Sequence, residues 1–293
     1  MERLQFIQNY RDEEQYRKSF FELANDVFGL NFEKWFENGF WEERYIPFSY
    51  VDENKVIANV SVNSLDVIIE GKQYNAVQIG TVMTHPDYRN KGLSKRLMNK
   101  VLEEYKNTYD FMYLFANDSV LDFYPKFGFE RVEQYQYSIN FSCNQKPEKE
   151  LRKLDITNED DIHFIYQFAK ERIPVSQRFA TVNAQGIFMY YCLNVFCDDI
   201  YYHDSEEAMV IFQKDEKQID IFDIISRKPV NVNNILNDIS CVETNKIVFH
   251  YTPDYEGLLF ERNLIKSGGT LFVKMNGSNY FQKQFKHPIT SEA

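Results

Sequence analysis

The chain has 293 residues, a formal net charge of −11 at pH 7 and a hydrophobic fraction of 44%. This length predicts two domains, because single domains most often hold about 100–150 residues. Acidic residues outnumber basic ones on both sides of residue 144. The charge argues against nucleic acid as a general partner, since phosphate contacts need a basic face, and it favours cationic ligands instead.

Membrane insertion, disulfides and metal sites are not indicated. No segment reaches the roughly 18–20 consecutive apolar residues of a membrane helix, and the start, MERLQFIQNYRDEEQYRK, lacks the apolar centre of a signal peptide. The four cysteines form no C-x-x-C pair and the five histidines are scattered, so neither a metal site nor a disulfide framework is predicted. We therefore expect a cytoplasmic protein with no membrane partner.

Apolar spacing in the first half predicts alternating strands and helices. A strand at 4–8 precedes a helix over 12–29 and a short helix over 31–40. The following elements are consecutive strands from 45 to 86, a helix after Gly92, a strand at 111–116, a short helix at 117–127 and a closing strand or hairpin. The strand-helix-strand unit at 77–116 implies a locally parallel pair in an otherwise antiparallel sheet.

The second half follows a polar linker, predicted at 142–155. Its predicted helices lie near 158–172, 183–196 and 231–240, and its strands near 208–213, 218–226, 246–250 and 270–275. This order repeats that of the first half in weaker form. The segment KSGG at 266–269 follows LLFERNLI, which is read as a helix, and leads into the strand TLFVKM, so it has the wrong polarity to bind phosphate.

A basic turn opens the helix after Gly92. The stretch VMTHPDYRNKGLSKRLMNK, residues 82–100, places five basic residues around one helix start. The first N–H groups of a helix have no intrahelical partners and carry partial positive charge. A glycine in the turn lets these amides approach an anion closely, so we expect a phosphate group here.

This turn resembles the central motif of the GNAT superfamily of acyl-CoA-dependent N-acyltransferases, [QR]-x-x-G-x-[GA]. The match over residues 89–94, RNKGLS, departs from the pattern only at Ser94. A second segment, NDSVLDFYPKFGFE at 117–130, is similar to the family signature N-x-x-A-x-x-F-Y-x-K-x-G-F, with Val120 in place of Ala. Two motifs in the expected order are more specific than either alone.

The resemblance predicts the fold and the domains. It implies an α/β (α+β) protein of tandem GNAT-like domains, each with a mixed, mostly antiparallel sheet flanked by helices. Residues 1–144 would form the catalytic, acyl-CoA-binding domain, and residues 150–293 a degenerate GNAT-like domain without the phosphate turn. The second domain would shape the acceptor cleft at the domain interface, or act only as a structural support.

The resemblance also implies roles for individual residues. Acetyl-CoA, as acyl donor, would bind through Val82, Met83, Thr84, Arg89, Asn90, Lys91, Gly92, Leu93, Ser94 and Asn117. Tyr124 would be the general acid, since a phenol of pKa near 10 keeps its proton at neutral pH and can protonate the departing thiolate. The alternatives are an ordinary central strand at 82–84, a helix cap at Asn117 and a core aromatic at Tyr124.

The general base is not identified. Gln78 stands near the position where the family often has a Glu, and an amide cannot accept the proton. Glu70, Asp66 and His85 are possible replacements, although each is equally explained as a surface, solvated or turn residue. A C-terminal carboxylate serves in some tandem members, and the segment ITSEA would have to fold back to do so.

The predicted activity is transfer of acetyl from acetyl-CoA to a primary amine of a small molecule, directly within a ternary complex. No cysteine lies in either motif, so a covalent acyl-enzyme is not suggested. Two alternatives are a non-catalytic acyl-CoA-binding protein, for which the amide at Gln78 would reflect lost activity, and an acetyltransferase acting on protein lysines or N-termini. The oligomeric state is left open.

Overall fold

The structure is a computed structural model that describes residues 4–143, 151–266, 268–277, 281 and 283–293. In the first half the elements are β1 Gln5–Gln8, α1 Glu14–Phe28, α2 Glu33–Glu37, β2 Tyr45–Asp52, β3 Lys55–Ile69, β4 Lys72–Thr84, α3 Leu93–Glu104, β5 Phe111–Ala116, β6 Glu130–Val132 and β7 Tyr135–Asn140. None of the described helices is long and apolar enough to cross a bilayer.

In the second half the elements are β8 Arg152–Lys153, α4 Glu159–Lys170, β9 Phe179–Val182, α5 Gln185–Asn194, β10 Ile200–His203, β11 Ala208–Asp215, β12 Gln218–Ser226, α6 Val232–Ile239, β13 Lys246–Phe249, β14 Glu261–Leu264 and β15 Thr270–Met275. Short 3₁₀ helices cover Pro86–Tyr88, Asp118–Val120, Tyr124–Phe127 and Ile289–Ser291. Residues 144–150, most of the predicted linker, lie outside the described residues.

The strands form two mixed sheets, as predicted. The first has the order β1-β2-β3-β4-β5-β15-β6, with β9 added alongside β3, and the second has the order β14-β7-β13-β12-β11-β10-β8. The pairs β4–β5 and β12–β13 are parallel, and the other strand pairs are antiparallel. The parallel pair predicted at 77–116 is therefore confirmed.

The two sheets exchange strands along the sequence. Strand β7 from the first half lies between β14 and β13 of the second sheet, while β15, near the end of the chain, lies between β5 and β6 of the first. The closing hairpin predicted after Gly128 is therefore two strands in different sheets. The helix predicted over LLFERNLI is also wrong: its second half is β14, which pairs with β7, because main-chain hydrogen bonding at a free strand edge decides the conformation there.

The apolar core joins the two halves. Buried side chains of α3, among them Leu97 and Val101, pack on the first sheet at the helical spacing that the sequence predicts. A second cluster combines aromatic side chains of α1 and α2 with residues of α4 and α5. Trp35 of α2 donates a hydrogen bond to the main-chain oxygen of Gly186 at 2.7 Å, so the helices of both halves are packed together beside the first sheet.

Candidate active site

The basic turn lies between the end of β4 and the start of α3. Asn90 and Gly92 both adopt positive φ angles, 63° and 73°, on either side of Lys91. A backbone in which positive and negative φ angles alternate points successive N–H groups toward one side. A Cβ placed on Gly92 would meet no atom within 4 Å. The turn therefore has open space in front of the unpaired amides at the start of α3, which is the arrangement an anion requires.

The five basic residues of this region have different surroundings. The Nε of Arg89 donates to the main-chain oxygen of Thr84 at 3.3 Å, and Arg89 and Lys95 line the cavity described below. The ammonium of Lys91 instead lies 4.5 Å from the centre of the Tyr88 ring. Arg96 and Lys100 lie over aromatic rings of the first sheet.

Ser94 departs from the family pattern for a reason that the structure makes clear. Its hydroxyl forms a 2.8 Å hydrogen bond with the hydroxyl of Thr84. The bond links the first turn of α3 to the last residue of β4. A small polar side chain at this position thus joins the two elements that border the turn, while leaving the space in front of the amides open.

Strands β4 and β5 separate beside the turn. Their parallel pairing runs from Ala76 with Phe111 to Ile79 with Leu114. Beyond it, β4 contains a bulge opposite β3, where Thr81 has a φ of +46°. This conformation is rare for a β-branched residue, and bulges of this kind bend a strand and redirect its main-chain groups.

Side-chain hydrogen bonds hold the bulge in place. The main-chain oxygen of Thr81 accepts from Asn59 Nδ2 at 2.9 Å, and its hydroxyl lies 2.8 Å from that of Tyr45. An opening results between residues 80–84 of β4 and residues 115–117 at the end of β5. Backbone groups left unpaired by such a separation can bond an extended ligand as an added strand would.

A cavity of about 750 Å³ connects this opening with the basic turn. It contains nine of the ten residues assigned to acyl-donor binding from the sequence, all except Lys91. Its lining consists of Val27, Phe28, Leu30, Ile79, Gly80, Thr81, Val82, Met83, Thr84, Tyr88, Arg89, Asn90, Gly92, Leu93, Ser94, Lys95, Phe115, Asn117, Ser119, Val120, Phe123, Tyr124 and Ala293.

Tyr124 reaches this cavity from the start of the 3₁₀ helix Tyr124–Phe127. Its side chain is 4% exposed and packs against Phe123 and against Phe272 of β15. Within the described ranges its hydroxyl has no hydrogen-bond partner. Burial raises the pKa of Tyr124 to about 12, so this phenol is protonated throughout the neutral range.

Ala293 also lines the cavity, so the segment ITSEA folds back, a possibility that the sequence left open. We call residues 285–293 the tail. It passes the second sheet, where Ile289 N–H donates to the main-chain oxygen of His250, and then reaches β4. A Cβ added at Gly80 would lie 2.9 Å from the carbonyl carbon of Ala293, so only glycine allows this close approach of the two main chains.

The proposed alternative bases lie elsewhere. Asp66 accepts a hydrogen bond from Asn183, His85 accepts from the Asp87 N–H at the start of a 3₁₀ helix, and Glu70 lies at the turn between β3 and β4. Among the described residues, no Asp, Glu or His side chain lines the cavity, and Ala293 is the second half's contribution to it. The acidic residues of the second half therefore do not reach this site.

Comparison with known proteins finds a family model that matches part of the chain and solved structures that share the fold of nearly all of it. Residues 10–132 match the family model described as acetyltransferase (GNAT) domain. No curated protein sequence matches.

Three crystal structures each align with 93% of this chain. A probable N-acyltransferase from Enterococcus faecalis is 15% identical, with 72% of its chain covered and a TM-score of 0.62. A GCN5-related N-acetyltransferase from Kribbella flavida is 13% identical over 71% of its length, with a TM-score of 0.57. Eis1 from Mycobacterium abscessus is 11% identical over 73%, with a TM-score of 0.59. At these identities the likeness concerns the fold alone.

Proposed function

We propose that the chain is an acyl-CoA-dependent N-acyltransferase, because residues 10–132 match the family model described as acetyltransferase (GNAT) domain. Acetyl-CoA is the proposed donor, and the primary amine of a small molecule is the proposed acceptor. The observation that carries this proposal is one cavity whose lining includes both the basic turn and Tyr124.

The residues of the cavity suit the chemical groups of coenzyme A. Open space at Gly92, the amides at the start of α3 and the cations of Arg89 and Lys95 suit a pyrophosphate. The separated end of β4, from Val82 to Thr84, suits the amide groups of an extended pantetheine arm. When bound, acetyl-CoA would supply an acyl group activated as a thioester.

Tyr124 is the proposed general acid. Expulsion of a thiolate is easier when a nearby group donates a proton to the sulfur. A phenol whose pKa is about 12 is fully protonated at neutral pH, and the Tyr124 hydroxyl has no described protein group to which its proton is committed. These two properties support the role, whereas a purely structural tyrosine in a core is normally hydrogen-bonded.

The proposed proton acceptor lies in the tail. When Ala293 is the terminal residue of the protein, its carboxylate lies in the cavity beside Gly80. It can then accept a proton from the ammonium group of the acceptor before the amine attacks the thioester carbonyl. No described Asp, Glu or His side chain competes for this role in the cavity.

We further propose that the two halves of the sequence have different functions, with the boundary near the one predicted between the domains, even though each half contributes strands to the other half's sheet. Residues 1–144 bind the acyl donor, and residues 150–293 bind none. Gly268 and Gly269 precede strand β15 rather than a helix, so they have no helix N-terminus with which to hold phosphate. The second half contributes β15 behind Tyr124 and the tail inside the cavity.

Turnover with a panel of amines tests this function against the two alternatives. The purified protein is incubated with acetyl-CoA and small primary amines, and with lysine-containing and free N-terminal peptides; released thiol and acetylated product are measured. We expect product from at least one small amine. Calorimetric binding of acetyl-CoA without turnover on any acceptor would support the non-catalytic alternative, and turnover restricted to peptides would support a protein acceptor.

A further inference from the structure

The side chain of Gln78 forms hydrogen bonds with two residues of the tail, Ser291 and Ala293, which flank Glu292. Gln78 lies on β4, two residues before Gly80, and is fully buried. Its Nε2 donates to the main-chain oxygen of Ser291 at 2.8 Å, and its Oε1 accepts from the N–H of Ala293. One carboxamide therefore holds the main chain at the point where it enters the cavity.

In each hydrogen bond of this network, the chemistry of the two groups determines which one donates and which one accepts. The oxygen of Ser291 can only accept and the N–H of Ala293 can only donate, so the orientation of the Gln78 amide has one solution. The second hydrogen on Nε2 points to the hydroxyl of Tyr113, 2.8 Å away. The oxygen of Tyr113 accepts this hydrogen and leaves its own for another partner.

That partner is His287. Its Nε2 lies 3.1 Å from the Tyr113 hydroxyl, and its Nδ1 lies 2.9 Å from the main-chain oxygen of Pro288. Because the Pro288 oxygen only accepts, Nδ1 carries the hydrogen and Nε2 accepts from Tyr113. The neutral imidazole thus completes a chain of bonds from the base of the tail, through Tyr113 and Gln78, to Ala293.

An ionised glutamate could not replace Gln78 in this network. An ionised carboxylate accepts hydrogen bonds and donates none. It would face the Ser291 oxygen at hydrogen-bond distance without a hydrogen between them, and Tyr113 would have to turn its hydroxyl away from His287 to donate. The amide at this position, which from sequence alone suggested a lost catalytic base, is the residue that the bound tail requires.

We propose that Gln78 is a positioning residue: its carboxamide holds Ala293 at the point where β4 and β5 separate, and so places the proton acceptor of the reaction. Its consequence for catalysis rests on the proposed function, whereas its hold on the tail can be measured separately. The rest of the tail has other anchors, since Thr290 donates to Asp223 at 2.6 Å and Thr181 donates to Ser291 at 2.8 Å. Glu292 also has anchors of its own, an ion pair with Lys286 at 3.3 Å and an N–H bond to the main-chain oxygen of Ile289. Loss of the Gln78 amide should therefore free Ala293 alone.

The first experiment measures release of tail residues by a carboxypeptidase from protein expressed with Ala293 as its last residue. The variant Gln78→Glu keeps the size of the side chain and removes both amide donors when ionised, and one of them when protonated. Leaving a buried polar group unpaired costs enough to expect about tenfold faster release of Ala293, with digestion slowed at Glu292. The control is Gln136→Glu, which removes a comparable donor to the oxygen of Phe249 in the second sheet and should leave release unchanged.

The second experiment measures kcat and the affinity for acetyl-CoA in the same proteins. We expect Gln78→Glu to lower kcat by about tenfold or more and to change the acetyl-CoA Kd by less than twofold, whereas Gln136→Glu changes neither. Unchanged release of the tail residues in Gln78→Glu would overturn the proposed hold on the tail. Faster release with an unchanged kcat would overturn the positioning role in the reaction.

The release measurement also separates failure of this proposal from failure of the proposed function. A parent protein that acetylates no amine would contradict the function, and carboxypeptidase release would still decide whether Gln78 holds the tail. Thermal unfolding of both variants serves as a folding control. Should Gln78→Glu not fold, Gln78→Met, which is of similar size and cannot donate, is used with the same expected and contradicting outcomes.

Discussion

At the scale of single residues, the tail depends on a histidine that stays neutral. His287 is buried, and burial together with the neighbouring Lys286 lowers the pKa of His287 to about 3. An unfolded histidine has a pKa near 6.5. Between these values the unfolded chain binds one proton more than the folded chain, so stability is complete above about pH 6.5 and is lost as the pH falls toward 3.

We predict that His287 makes the free energy of unfolding depend on pH in this window. Between pH 7 and pH 5 the parent protein should lose about 2 kcal/mol through this residue, a loss that His287→Asn should not show. Urea unfolding of both proteins at the two pH values measures the difference. An equal pH dependence of the parent and the variant would contradict a neutral, buried His287.

Also at this scale, the structure brings Tyr124 and nine of the ten residues predicted to bind the acyl donor to one cavity. The sequence could indicate them because both motifs lie within continuous segments whose local geometry follows from their own residues. It did not predict the partners of Gln78. Those partners, Tyr113, Ser291 and Ala293, are up to 215 positions away in sequence, and no local pattern of residue types indicates such contacts.

At the scale of elements, the turn between β4 and α3 depends on backbone conformation. Gly92 has a φ of +73° and open space around the position of a Cβ. A β-branched residue there would be strained, and its side chain would occupy the space in front of the helix amides without striking the protein. The fold should tolerate the change, and the phosphate site should not.

We predict that Gly92→Val weakens binding of acetyl-CoA by about tenfold to a hundredfold, because charge-assisted hydrogen bonds to the phosphates are lost. Isothermal titration calorimetry measures the affinity. Gly257→Val is the matched control, since Gly257 also has a positive φ, +80°, and open space around it, but lies away from the cavity. Equal affinity in folded Gly92→Val and parent protein would place the phosphate site elsewhere.

The spacing of apolar residues in the sequence predicted most of the helices and strands. The strands that it did not predict take their conformation from the neighbouring strands to which they bond. The helices α3, α4 and α6 carry apolar spacing of their own, α5 is an almost continuous apolar run, and the structure confirms all four. The segment Glu261–Leu264 is exposed and has no apolar face, so its strand conformation comes from pairing with β7. The short strands β8, β9 and β10 are likewise determined by the neighbours to which they bond.

At the scale of the whole molecule, the first half of the sequence is not a self-contained folding unit. Strand β15 pairs with both β5 and β6, and its residues Leu271, Phe272 and Val273 are buried. Removing the second half would leave β5 and β6 without the strand between them, β3 without β9 and β7 without β13 and β14, and would uncover a face beside Tyr124. The order of strands in a sheet depends on distant segments, which is why the sequence indicated domains but not their interleaving.

We predict that a fragment of residues 1–143 does not fold to a stable monomer, and that co-expression with residues 144–293 restores a soluble complex. The reason is the missing β15, together with the shared core of α1, α2, α4 and α5. Size-exclusion chromatography and circular dichroism of each preparation measure this. A monomeric fragment with a cooperative unfolding transition and bound acetyl-CoA would contradict the prediction.

The central claim is that the cavity beside Tyr124 performs acetyl transfer with this phenol as proton donor. The most direct measurement is the rate of acetyl transfer in a single turnover, with chemistry rate-limiting, for the parent protein, Tyr124→Phe and the control Tyr109→Phe. Tyr109 is buried in the same apolar cluster as Tyr124 but does not line the cavity. We predict that Tyr124→Phe lowers the rate by about 10²–10⁴ with an unchanged acetyl-CoA affinity, whereas Tyr109→Phe has little effect. A rate for Tyr124→Phe within about twofold of the parent would contradict the claim.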